Sequence, residues 1–131
     1  MVEKITVKRI DFLDFVYGNK ESSSIITLTK ELKTKYPSLK EYDELFMSAK
    51  LMNWWDADRY ASDHFAQLPS REELKDIHKL IDAPTYYEFR CWWTREVYEK
   101  HSRFAYCFYP EEHACSSAEK YYSHAVFCLR R

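Results

Sequence analysis

The feature that most constrains this chain is a change of hydrophobic period near Ala83-Pro84. Before it, apolar residues recur three and four positions apart, the spacing of one helix face. After it they come in short aromatic-rich runs, Tyr86–Trp93, Arg103–Tyr109 and Tyr121–Arg130, separated by polar stretches. Such runs predict three antiparallel strands. Helices first and strands after imply an α+β domain, with helices followed by a small antiparallel sheet.

The helical part divides at its punctuation. Ile25, Leu28, Leu32 and Tyr36 fit one helix face, and Pro37 ends it because proline disfavours helix in the residue before it. Ser38 then opens a second expected helix with Leu39, Tyr42, Leu45 and Phe46 on one face and Glu41 at the capping-box position. Asn53 caps a third, from Trp54 to about His64, with Trp54, Ala57 and Ala61 on one face. Ser70 and Glu73 form a capping box for a fourth, from Arg71 to about Ile81, with Leu74, Ile77 and Ile81 inward. Nearer the start, Ile5 and Val7 alternate like a strand, and Gly18-Asn19, holding the chain's single glycine, marks a turn.

With 131 residues the chain makes one domain, 1–131. Residues 1–50 form an N-terminal strand and helical segment without an assigned role, and 51–131 form the core. The 20 basic and 21 acidic residues give a net charge of −1. That balance argues against nucleic acid as a direct partner. The chain has no run of eighteen apolar residues, and its first residues lack the apolar centre of a signal peptide. We therefore expect a cytoplasmic protein with no membrane partner. Cys91, Cys107, Cys115 and Cys128 are then read as reduced thiols, Cys107 and Cys128 lying in apolar runs.

From Leu51 onward the order of motifs is similar to bacterial and phage C-type-lectin-like domains, of the Legionella collagen-like adhesin C-terminal type and the Fibrobacter major paralogous type. The counterparts are Trp54, Trp55, Ala57 and Ala61 on the opening helix, LPSREEL at Leu68 to Leu74, CWWTRE at Cys91 to Glu96, and AVFCLRR at Ala125 to Arg131. The family's leading strand has no visible counterpart in the first 50 residues. The resemblance implies a fold and leaves function open, because that fold hosts adhesins, ligand-binding modules, phage proteins and a few enzymes.

The chemistry-bearing residues do not assemble into a catalytic set. Cys107, His113, Cys115, His124 and Cys128 are soft ligands without the close Cys-x-x-Cys pairs of a zinc site. Tyr109-Pro110-Glu111-Glu112 lacks the partner carboxylates of a calcium loop. Cys115 beside His113 could make a thiol nucleophile, yet no feature supplies an oxyanion hole or a third group. Glu72, Glu73 and Asp76 read as a solvated helix face. No enzyme, metal or cofactor is expected.

The remaining signal is aromatic. The chain holds eleven Tyr, eight Phe and four Trp, 18% of its residues. Many occur as adjacent pairs: Trp54/Trp55, Tyr86/Tyr87, Trp92/Trp93 and Tyr121/Tyr122. Strand neighbours point to opposite faces, so one of each strand pair should be core and the other exposed. Exposed Tyr and Trp favour protein contacts. The expected function is thus a non-catalytic protein–protein interaction module. Its expected contact residues are Trp55, Tyr87, Trp93, Tyr109, Tyr122 and, in a long loop from Pro110 to Lys120, Glu111, Glu112 and His113. Small, glycine-poor, aromatic-rich chains of this kind are often phage or mobile-element products, so an inhibitor of a host defence complex fits the profile. A small-ligand or glycan-binding lectin-type domain is the alternative, and a homodimer stays open.

Overall fold

The computed structural model describes residues 25–48, 50–80 and 90–131. It is a mixed α+β arrangement. Among the described residues it holds three α-helices and two three-stranded antiparallel sheets. The expected features at Ile5, Val7 and Gly18-Asn19, the expected inward Ile81, and residues 86–89 of the run Tyr86–Trp93 lie outside the described residues.

The chain enters through strand β1 (Ile26–Thr27) and helix α1 (Lys30–Lys35), which Thr29 caps through its hydroxyl. A 3₁₀ turn follows at Pro37–Leu39, then strand β2 (Glu44–Met47). Helices α2 (Trp54–Asp63) and α3 (Arg71–Leu80) come next. The chain closes with β3 (Trp92–Val97), β4 (Phe104–Tyr109), β5 (Ala114–Glu119) and β6 (Phe127–Arg130). The first sheet has order β1-β2-β6 and the second β3-β4-β5. A parallel bridge between Trp92 and Ala125 joins them.

Two of the three capping expectations hold; the Ser38–Glu41 box falls with the helix it was to open, and the Ser38 hydroxyl donates to Asp76 instead. The Asn53 side chain accepts from the Asp56 N–H at 2.8 Å. Ser70 and Glu73 bond reciprocally, at 2.9 and 3.1 Å, which satisfies amides that the first turn of α3 leaves without partners. Helix α2 ends with Phe65 in the left-handed region, φ 57°, and the Phe65 and Ala66 N–H groups bond back to Ser62 and Ala61. That is a Schellman closure with phenylalanine where glycine is usual.

Three expected elements differ. The helix expected over Leu39–Phe46 is the 3₁₀ turn followed by β2. Leu45 pairs with Leu129 and Phe46 with Cys128, so ladder bonds to β6 outweigh the local helical spacing. The helix expected from Ile25 is shorter, because its first residues pair with Leu45 and Glu44 as β1. The last expected strand also shrinks to Phe127–Arg130.

The strands β2, β3, β4 and β6 are covered on both faces over most of their length. Leu45, Met47, Trp92, Phe108, Phe127 and Leu129 pack with Leu74, Ile77 and Leu80 of α3. Phe46, Trp93, Cys107, Val126 and Cys128 pack with Ala57 and Ala61 of α2. Successive strand residues therefore feed opposite halves of the core. This corrects the expectation for Trp93: it and Trp92 are both 0% exposed. The Trp93 indole N–H donates to the Met52 carbonyl at 2.9 Å, so the ring is buried with its polar atom satisfied. Trp93 is a core residue and not a contact residue.

Glu73 is corrected too. It is not on a solvated face but buried at 8% exposure. Arg95 Nη1 donates to it at 2.7 Å and the Tyr42 hydroxyl at 3.1 Å. This network ties α3 to β3 and to the segment leading into β2.

Candidate functional site

The expected contact residues fall into two places. In β4 and β5, Phe104 pairs with Glu119 and Tyr109 with Ala114. The turn Pro110–His113 and the segment Lys120–Tyr122 therefore lie at opposite ends of this ladder. A six-residue ladder spans roughly 20 Å. The expected long loop from Pro110 to Lys120 is thus mostly β5. Its sequence, ACSSAE, carries small and polar side chains because β5 is the outer strand of its sheet.

At the turn, Glu111, Glu112 and His113 are exposed. His113 adopts φ 49°. Its Nδ1 lies 3.0 Å from His78 Nδ1 on α3, and its ring meets Phe108 edge-on at 5.6 Å. His113 therefore turns toward α3. Cys115 is half-buried, and burial pushes its thiol up, with Lys75 and Arg71 pulling the other way. These features do not build an activated thiol. Among the described residues no group of three or more His, Cys, Asp or Glu side chains could hold a metal ion.

The other end is aromatic. Trp55 is 47% exposed at the start of α2, and Tyr121 and Tyr122 are 55% and 54% exposed. The tyrosine rings lie 4.9 Å apart, and the Tyr121 hydroxyl donates to Glu119, which pushes its ionisation up to about 12. Lys120, which precedes the two tyrosines, ties this segment to the start of α2. Its ammonium sits 4.5 Å from the Trp54 ring and 5.8 Å from that of Trp55, and its carbonyl accepts from the Trp54 amide at 2.8 Å. Trp54 is anchored in turn by its indole N–H on the Thr94 carbonyl, at 2.8 Å. Adjacent helical positions diverge by about 100°, so Trp54 packs inward while Trp55 faces out.

Beside this group opens a cleft of about 510 Å³, lined among others by Leu51, Arg90, Tyr109, Glu119, Tyr122 and His124. The volume suits a side-chain cluster or a small ligand. His124 is half-buried, its ring edge-on to Trp93 at 4.8 Å. Burial, aided by Arg90, lowers its pKa to about 4, so it is neutral at pH 7. Tyr109 reaches the cleft from β4. Burial pushes its phenol up, and its hydroxyl hydrogen-bonds the thiols of Cys91 and Cys107.

The structure thus brings Trp55, Tyr109 and Tyr122 to one side of the molecule and leaves Glu111, Glu112 and His113 at the far turn. Tyr87 lies outside the described residues. Sequence reasoning missed Lys120, Tyr121, His124 and Phe65. Tyr121 adjoins the chosen Tyr122, and Lys120 precedes it by one more position. Phe65, 90% exposed, is the most exposed of the large apolar residues described, and nothing in the local sequence sets it apart from a core phenylalanine. No helix among the described residues is long and apolar enough to cross a membrane. Comparison with protein-family models, curated proteins and solved structures finds no match to this chain.

Proposed function

We propose that this chain is a non-catalytic protein-binding module of C-type-lectin-like architecture. Its partner docks across the exposed Trp55, Tyr121 and Tyr122, with the buried Lys120 behind Trp55, and inserts a side chain into the adjoining cleft. The architectural reading is supported by the order of elements. A leading strand, β2, pairs with the closing strand, β6; two helices lie between, followed by a separate three-stranded sheet. The observation that carries the functional reading is the aromatic group itself. Three large rings stand about half exposed: Trp55 lies beside the buried Lys120, and Tyr121 and Tyr122 lie against each other and are tied to Glu119. Rigid aromatic anchors of this kind lose little entropy on binding and dominate interface energetics. Within this reading the partner is a host protein complex, and the chain serves a phage or mobile element as an inhibitor.

The test compares affinity purification with wild type and with a Trp55→Ala/Tyr122→Ala double variant of unchanged melting temperature. The proposal expects a stoichiometric protein recovered by the first and lost by the second. Recovery of none, or equal recovery by both, defeats it. The cleft also favours a second reading, a lectin-type site for a glycan or other small polar ligand, because Arg90, Glu119 and His124 line one concavity. A glycan panel with and without calcium would raise the melting temperature if that reading is right and leave it unmoved if it is wrong.

A further inference from the structure

Beneath the cleft lies a pair of thiols that the docking surface does not use. Trp93 pairs with Cys107 and Trp92 with Phe108 across β3 and β4. Continuing that register by one residue sets Cys91 opposite Tyr109. Side chains two apart on a strand share a face, so Cys91, Trp93, Cys107 and Tyr109 lie on one face of the sheet. Cys91 and Cys107 are then diagonal cross-strand neighbours. Their side chains hydrogen-bond to each other, and the Tyr109 hydroxyl bonds both. Both cysteines are buried at 1% and 0% exposure, whereas Tyr109 lines the cleft. The phenol thus stands between the thiol pair and the solvent-filled cleft.

We propose that Cys91 and Cys107 are a redox modification site, oxidised by a small peroxide entering past Tyr109 to a reversible cross-strand disulfide. Their mutual contact satisfies the first geometric need of a disulfide, which is proximity with side chains facing each other. The two sulfurs are not equivalent. Cys91 donates to Cys107, which raises the Cys91 pKa and lowers that of Cys107. Cys107 is therefore the sulfur that ionises first and the nucleophile.

The chemistry balances with hydrogen peroxide as the oxidant. The Cys107 thiolate attacks one peroxide oxygen and the O–O bond breaks. The departing hydroxide takes up the proton lost by the thiol and leaves as water, and Cys107 becomes a sulfenic acid. The Cys91 sulfur then attacks that sulfenic sulfur, the S–O bond breaks, and the hydroxyl leaves as a second water with the Cys91 proton. Two thiols and one peroxide give one disulfide and two waters. A thiol reductant reverses it. Cys115, though more exposed, has no second cysteine hydrogen-bonded to it, and the Cys128 thiol is pushed up to about 12 by burial. Neither is set to compete for the bridge.

The experiment treats the folded, full-length chain with hydrogen peroxide, blocks remaining thiols under denaturing conditions, and maps the peptides by mass spectrometry. The expected result is a Cys91–Cys107 cross-link, two hydrogens lighter than the separate peptides, which disappears on reduction, with Cys128 still alkylated. Recovery of Cys91 and Cys107 as alkylated thiols after Cys115 has been oxidised overturns the proposal. So does a dominant bridge that includes Cys115. Cys91→Ala removes the resolving thiol and should leave a dimedone-reactive sulfenic acid on Cys107. An equal adduct on Cys91 in Cys107→Ala would remove Cys107 as the attacked sulfur. The wild-type map stands even if either variant fails to fold.

Discussion

The β3-β4-β5 sheet is held differently on its two faces. Toward α3 the contact is ionic and hydrogen-bonded as well as apolar. Arg95 reaches Glu73, Arg71 bonds Glu96 at 2.9 Å, and the Arg71 guanidinium stacks 3.8 Å from the Tyr106 ring. Toward α2 the contact is made of small residues, thiols and Trp93. The α3 face thus fixes orientation through directional groups that need partners. The α2 face gains from burial and close packing, and tolerates polar groups only where they are matched, as the Trp93 indole is. The candidate binding surface grows from the second kind of face, where Lys120 and Trp54 close the edge of an apolar layer.

The sharpest way to break this contrast is to empty the α2 face. Trp93→Ala should cost about 3–5 kcal/mol, measured by denaturant unfolding, and should loosen the cleft by removing the support of His124. A loss under about 1 kcal/mol would mean that the layer collapses freely and is not close-packed. On the opposite face, Glu73→Ala leaves Arg95 and Tyr42 without their shared acceptor and removes half the capping box. Arg95 is one-third exposed, so solvent offsets part of the loss. We expect about 2–3 kcal/mol, partly recovered by Glu73→Gln.

Acid titration should separate the two faces. On the α2 side, His124 has a folded pKa of about 4 against an ordinary 6.5. The unfolded chain therefore takes up a proton that the folded chain refuses. This stability is complete above pH 6.5 and is lost as pH falls toward 4. On the α3 side, burial pushes Glu96 up, but the Arg71 amide and guanidinium outweigh it, and its pKa is lowered from 4.5. Its contribution is present above pH 4.5 and lost below. Melting temperature against pH should thus show two acid steps. His124→Gln should remove the upper step and Glu96→Gln the lower, and a profile in which either variant removes both would dissolve the distinction.

The smallest expected effect lies outside both faces. Phe65→Gly relieves a left-handed residue whose side chain is almost wholly solvated. It should stabilise the chain by about 0.5–1 kcal/mol in chemical unfolding. A loss instead would reveal a contact made by that ring.

How much of this was legible in the sequence varied with how local the cause was. The caps at Asn53 and at Ser70/Glu73, and the spans of α2 and α3, followed from side chains within four residues of the bonds they make. The aromatic surface was half legible. Trp55 and Tyr122 could be chosen, whereas the burial of Trp93 could not, because alternation says which face a residue takes and not whether that face is covered. Strand β2 was read as helix because a strand buried on both sides shows no alternation, only a continuous apolar run. Strand β5 was read as loop because its small polar residues become a strand only beside β4.

The sequence by itself determined the α+β class, the two capped helices and the aromatic richness, all consequences of near neighbours and composition. Only the tertiary structure decided that β2 closes on β6, that Glu73 is buried under Arg95, and that Lys120 gathers Trp54 and Trp55. Each of these joins residues far apart in the chain, and their energy depends on partners that no local pattern specifies.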